Sequence, residues 1–181
     1  GEYGCQIERH GSDGSYWYTA LGGRQDRPVN YVSFWSACRF VNWLHNGQIE
    51  GPCTAATTEA GAYDLYGYTG SDGRSITRHW EADYLLPSEH EWYKAAYFDG
   101  ATYYDYPTGT DSVPSNDLVS PDPGNNANFH FNEDWTVGAP QYFTDVGEFE
   151  NSAGPYGTFD QGGNVEEWTD TVETGGIWSR R

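Results

Sequence analysis

Apolar residues recur at helical spacing in two stretches of this chain. In the first, Ala37, Phe40, Val41 and Leu44 fall at i, i+3, i+4 and i+7, which predicts a helix over about 34–46 with those four on its buried face. Ser33 stands before it as an N-cap. Asn46-Gly47 closes it, where glycine accepts the left-handed conformation. Cys38 reads as a small buried hydrophobe, whereas Trp43 and His45 lie off the stripe as a partly covered ring and a surface imidazole. In the second stretch Ser88-Glu89-His90-Glu91 forms a capping box. It opens a helix that packs through Trp92, Ala95 and Ala96 and ends at Phe98-Asp99-Gly100. Capping accounts for Glu91, and the H-E-x-x-H spacing of a helical zinc site is absent.

Elsewhere the pattern is short and broken. Alternation in Ser15-Tyr16-Trp17-Tyr18-Thr19 predicts a strand, and 27–32 is extended into the first helix. Residues 47–82 lack a period and read as a surface excursion with one helical turn near Thr58–Ala62. Ala82–Leu86 predicts a strand ending at Pro87, with further extended pieces at Tyr103–Tyr106, Asp145–Phe149 and Glu166–Thr169. Prolines at 107, 114, 121, 123, 140 and 155 deny long elements to the second half. The expected architecture is a single compact, loop-rich α+β domain over 1–181, its core built largely from aromatic rings.

Composition sharpens this picture. Hydrophobic residues are 36% of the chain, so aliphatic core material is scarce, while aromatics at 17% argue against disorder. Acids outnumber bases 27 to 9, with Lys94 the single lysine, so the basic surface that phosphate contacts require is missing and nucleic acid is excluded as a partner. Acidic loops rich in Asp, Asn and Gly suit a hard cation such as calcium, or they simply keep the surface soluble. No apolar run is long enough to span a membrane. Cys5, Cys38 and Cys53 fit no zinc spacing; Cys5 and Cys53 are free to pair in an oxidising compartment, and an odd count leaves one thiol over.

Four blocks in order carry a family likeness over roughly residues 27–170. RPVNYVSFWSACRFVNWL (27–44), LLPSEHEWYKAA (85–96), NANF (126–129), and VGEF (146–149) with YGTFDQGGNVEEW (156–168) resemble the conserved blocks of the formylglycine-generating enzyme, or sulfatase-modifying factor, family. The likeness is to exported bacterial members and implies a periplasmic or extracellular location. It also implies a C-type-lectin-like α+β fold. The family's oxidases convert a sulfatase Cys or Ser to formylglycine with O₂ and a copper ion on two cysteines, and some relatives are iron-dependent sulfoxide synthases. None of Cys5, Cys38 and Cys53 matches the copper pair, and His10, His45, His79, His90 and His130 do not match the iron ligands. Glu166 stands where the family has Trp, and Leu85 where it has Arg. The family's copper-binding segment follows a motif that would begin at Ser179-Arg180-Arg181, so the likeness implies a fragment without catalytic residues of its own.

Asp160 and Glu167 flank a Gly162-Gly163 turn, which reads either as an ordinary bend with solvated acids or as an oxygen-rich cation loop. The resemblance implies the second, with calcium held by the side chains of Asp160 and Glu167 and the carbonyls of Gly163 and Val165. It implies a second calcium at Asn128, Phe129 and Asp134, with Thr136 as a further carbonyl. Copper or iron would enter only through ligands outside this chain. Two functions compete. One is the formylglycine-generating oxidase, acting on a peptide or protein such as a sulfatase. The other is a non-catalytic, calcium-stabilised, lectin-like surface module, a monomer that binds a peptide or glycan. A nucleophilic hydrolase is a distant third, because no G-x-S-x-G arrangement occurs.

Overall fold

A computed structural model describes residues 6–68, 73–132, 134–172 and 178–180. Cys5 lies outside them. The architecture is α+β, with short antiparallel strand pairs and few helices. Strands β1 (Ile7–Ser12) and β2 (Ser15–Ala20) form a hairpin; helix α1 spans Phe34–His45 and α2 Glu89–Tyr97. Strand β3 (His130–Phe131) pairs with β4 (Asp134–Trp135), and β5 (Trp168–Val172) with β6 (Trp178–Arg180). The backbone divides into two compact units, one of residues 1–31 and 93–166, the other of 32–92 and 167–181.

In the second unit α1 begins as its cap predicts: the Ser33 hydroxyl accepts from Ser36 N–H at 3.2 Å. It ends in two reversed bonds, Gln48 N–H to Trp43 O at 2.8 Å and Gly47 N–H to Leu44 O at 3.2 Å, with Gly47 at φ +81°. The buried face differs from the predicted one. Phe34, Cys38, Val41 and Asn42 point inward, and Phe40 is 58% exposed, stacked on Trp43 at 5.9 Å. The stripe turns because a polar residue, Asn42, organises the interior. Its Nδ2 donates to Thr58 O and Tyr63 O, and its Oδ1 accepts from Tyr63 N–H, all at 2.8 Å. Neighbouring Asn46 donates to Thr57 O at 2.9 Å and Ala60 O at 2.8 Å.

These amides draw residues 57–65 inward, so the predicted surface excursion in fact supplies Ala62, Tyr63, Leu65 and Ile76 to the core. Its helical turn is a wide one at Ala55–Glu59, closed by Glu59 N–H to Thr54 O at 2.9 Å, rather than at 58–62. Residues 82–86 are extended without being a strand, since Leu86 N–H bonds the Tyr63 hydroxyl at 3.0 Å instead of a neighbouring strand. Trp168 crosses edge to face with Phe34 at 5.7 Å and donates from Nε1 to Val32 O at 2.8 Å. Arg78 grips Glu91 through two bonds and Asp170 through two more, the latter at 2.7 and 2.8 Å. The capping box at α2 is present: Ser88 N–H to Glu91 Oε2 at 2.7 Å and Glu91 N–H to Ser88 Oγ at 3.2 Å.

In the first unit the hub is a buried carboxylate, Asp122. It accepts from Gly124 N–H, Asn151 N–H and the Ser152 hydroxyl at 2.8–2.9 Å. Loops, not strands, occupy 103–106 and 145–149, where expectation placed extended pieces; only isolated bridges at Tyr103 and Tyr106 remain. The last predicted strand begins at Trp168 rather than Glu166. The aromatic core is also smaller than expected. Phe34, Tyr63, Trp92 and Phe149 are buried, but many rings, Trp17, Tyr31 and Trp80 among them, face solvent.

Replacing Asn42 by Ala leaves two carbonyls and one N–H of the 57–65 loop unpaired in the core and is expected to cost about 3 kcal/mol. Phe40→Ala, on the exposed face, is expected to cost less than about 1 kcal/mol. Urea midpoints measure both, and equal losses would contradict the assignment.

Candidate functional site

The residues that the sequence marks for calcium lie in segments with unusual backbone. Asp160 and Asn164 both adopt the left-handed conformation, φ +60° and +59°, so the chain between them forms a tight bend. Gly163 N–H closes it on Asp160 O at 3.2 Å. Gly163 is required here by contact: a Cβ would sit 2.8 Å from Asn128 O. The next residue, Asn164, donates its N–H to that same Asn128 O at 2.9 Å. The bend is therefore pinned to Asn128, which joins parts of both predicted calcium sites in one unit.

Asn128 is almost fully buried, and both of its amide hydrogens are engaged, by Tyr142 O and by Asn164 Oδ1 at 3.0 Å each. Asn164 Oδ1 also accepts from Thr144 N–H at 3.1 Å. The Thr144 hydroxyl is buried and has no partner among the described residues. Burial raises the pKa of the Asp160 carboxyl above the ordinary carboxylate value, and the Gly147 N–H opposes that shift only in part. A half-buried acid with its charge disfavoured is a donor of the kind a hard cation takes. Glu167 belongs to the other unit, where its carboxylate accepts from Trp92 Nε1 at 2.5 Å.

At the second predicted site Phe129 and Thr136 are brought together, with Phe129 N–H donating to Thr136 Oγ1 at 3.2 Å. Asp134 is exposed in β4, and its carbonyl accepts from Asn116 Nδ2 at 3.4 Å. No group of three or more His, Cys, Asp or Glu residues is placed to hold a metal among the described residues, so any cation here leans on carbonyl and amide oxygens. Neither described thiol fits copper. Cys38 is fully buried in the apolar core, its thiol pushed up to about 12 first by burial and then by the charge of Asp170, which disfavours the thiolate a metal needs. Cys53 is an exposed free thiol. Three of the histidines have local partners: His10 on Trp17, His45 with Asp83, His130 on Trp135.

Beside Asn128 the same unit holds a cavity of about 420 Å³ lined by Asn128, Phe129, Trp135, Tyr142, Phe143 and Asn164. Asn128 and Phe129 were named from the sequence, whereas Trp135, Tyr142, Phe143 and Asn164 are the part of the site that sequence reading missed. The signal was the dense run of rings over 129–143.

Because burial raises its pKa, Asp160 opposes folding of the metal-free chain at neutral pH: the unfolded state releases its proton first, and stability falls as pH rises above about 3.8. Asp160→Asn is therefore expected to raise the melting midpoint of metal-free protein at pH 7, and the difference to vanish below about pH 4. If the Asp160→Asn variant melts lower than the unaltered chain at pH 7 without metal, this reading is contradicted.

The family of the sulfatase-modifying factor enzyme 1-like domain (FGE-sulfatase) matches residues 4–174. No curated protein and no solved structure matches. No helix among the described residues is long and apolar enough to cross a membrane. With nearly the whole chain covered by one family, from the first block to the Gly-Gly bend, this protein belongs to the sulfatase-modifying factor family.

Proposed function

We propose that this chain is an exported, calcium-stabilised binding module on the sulfatase-modifying factor scaffold, taking a peptide or glycan group in its aromatic cavity. The observation that carries the reading is the cavity itself, whose six lining residues include four aromatic rings and which adjoins Asn128 and the Asp160–Val165 bend. Calcium would be held by the Asp160 carboxylate and the Gly163 and Val165 carbonyls. A second ion would lie at Asn128, Phe129, Asp134 and Thr136. When bound, calcium supplies cross-linking charge that holds loops in place of an apolar core. Asn128 and Asn164 orient the cavity wall by bonding the 142–144 backbone.

The second reading is the family's oxidation of a substrate Cys or Ser to formylglycine. The family match favours it, and the buried Cys38 thiol weighs against this chain's own described residues as copper ligands.

Two measurements check these statements. Chelation is expected to lower the melting midpoint on the order of 5 °C, restored by excess calcium; an unchanged midpoint contradicts both calcium sites. Incubation with a cysteine peptide, copper and O₂ is expected to consume no more oxygen than the protein-free mixture and to yield no formylglycine, and uptake above that control with formylglycine formed would make the second reading the right one.

A further inference from the structure

A smaller pocket lies in the unit of residues 32–92 and 167–181. Trp35 and Arg39, four apart and so on one side of α1, line it with Leu65 and Tyr68. Trp35 and Tyr68 both pack against the core cluster, and their rings meet at 46° with centroids 5.1 Å apart. Arg39 is held along one edge: Nε donates to Glu59 Oε1 at 2.7 Å and Nη2 to Glu59 Oε2 at 3.1 Å. Those bonds use two of the five N–H groups of a guanidinium and leave three, two on Nη1 and one on Nη2. Neither these nor the Trp35 indole N–H has a hydrogen-bond partner among the described residues.

These groups offer hydrogens and ask for an acceptor. Glu59, the carboxylate beside Arg39, is already committed: its Oε1 takes the Thr58 hydroxyl at 3.0 Å as well as Arg39, and the Arg39 hydrogen bonds hold its carboxyl below the usual range. A cationic ligand would meet the guanidinium. An anionic one would find that guanidinium's charge matched by Glu59, in a chain of net charge −18. A neutral carbonyl suits the lining, because its two lone pairs can take the Arg39 Nη1 and Trp35 Nε1 hydrogens while a methyl beside it lies against Leu65 and the rings. The space of about 210 Å³ admits one such group and no drug-sized molecule. The remaining ring surface of Trp35 and Tyr68 is broad enough for the C–H face of a pyranose, which a thin alkyl stem would leave uncovered. We propose that this pocket binds the acetamido group of an N-acetylated amino sugar. No residue of the calcium sites or of the cavity beside Asn128 lines it, so the proposal stands apart from the reading above.

Nuclear magnetic resonance of the unaltered full chain tests the claim, with the assigned Trp35 indole N–H as the probe. Titration with the methyl glycoside of N-acetylglucosamine is expected to move that resonance downfield along a saturable curve. Methyl glucoside, which lacks the acetamido group, is expected to leave it in place at the same concentrations. Trp35→Phe keeps a ring and removes the N–H, and calorimetry is expected to find the N-acetylated sugar bound roughly fivefold more weakly. The melting midpoint shows whether that variant folds; if it does not, the titration of the unaltered chain decides alone. An unmoved indole resonance, an equal shift with methyl glucoside, or undiminished affinity in folded Trp35→Phe overturns the proposal. Acetate binding more tightly than the sugar makes the ligand an anion and overturns it too. A side-chain N-acetylated lysine that outbinds the sugar overturns the sugar assignment. Failure of the chelation test leaves this result untouched, and failure here leaves the calcium reading untouched.

Discussion

Side-chain amides and carboxylates buried against loop backbone are what this chain has in place of a large apolar interior. Asn42 and Asn46 hold the 57–65 segment by its carbonyls and an N–H; Asp122 gathers 124, 151 and 152; Asn128 and Asn164 tie 142–144 to the Gly-Gly bend. Each bond is worth only about 1 kcal/mol net, but breaking one strands a buried backbone group at a cost of about 1–3 kcal/mol. The pattern is therefore unforgiving: a loop held by such bonds has few alternative positions.

That constraint explains the site. A cavity walled by rings from 129, 135, 142 and 143 requires loop segments to keep their spacing without a sheet beneath them. The Asn128–Asn164 pair does this from one side, and Gly163, which has no room for a Cβ, lets the two segments meet. The strained left-handed residues on either end of the bend are stabilised by the same contacts. A cation at Asp160 would add a cross-link where the bonds alone leave a carboxyl with its charge disfavoured.

The local signals in the sequence were strong where chemistry is short-ranged. The Ser33 cap, the Gly47 stop and the Ser88–Glu91 box depend on neighbours three or four residues apart, and all three are present. The errors fall where long-range bonds override pattern. Asn42 is no part of the apolar stripe, yet it bonds residues 16 and 21 further on and faces the core, while Phe40 is exposed. The apparently aperiodic excursion around Tyr63 became core for the same reason. At the site, family likeness pointed to Asn128 and to the bend, but nothing in local spacing shows that Gly163 and Asn164 rest on Asn128 O, 36 residues earlier for the second. The rings of the cavity wall were visible in composition and invisible as a group.

Hydrogen exchange at single-residue resolution tests the central claim most directly, because the amides in question lie in loops. Tyr63, Thr144 and Asn151 N–H groups, each bonded to a side-chain oxygen of a polar hub, should exchange only in the slowest, globally unfolding class, alongside the α1 amides. If these three exchange as fast as the exposed β1–β2 hairpin, the polar hubs do not hold the structure and the account is wrong.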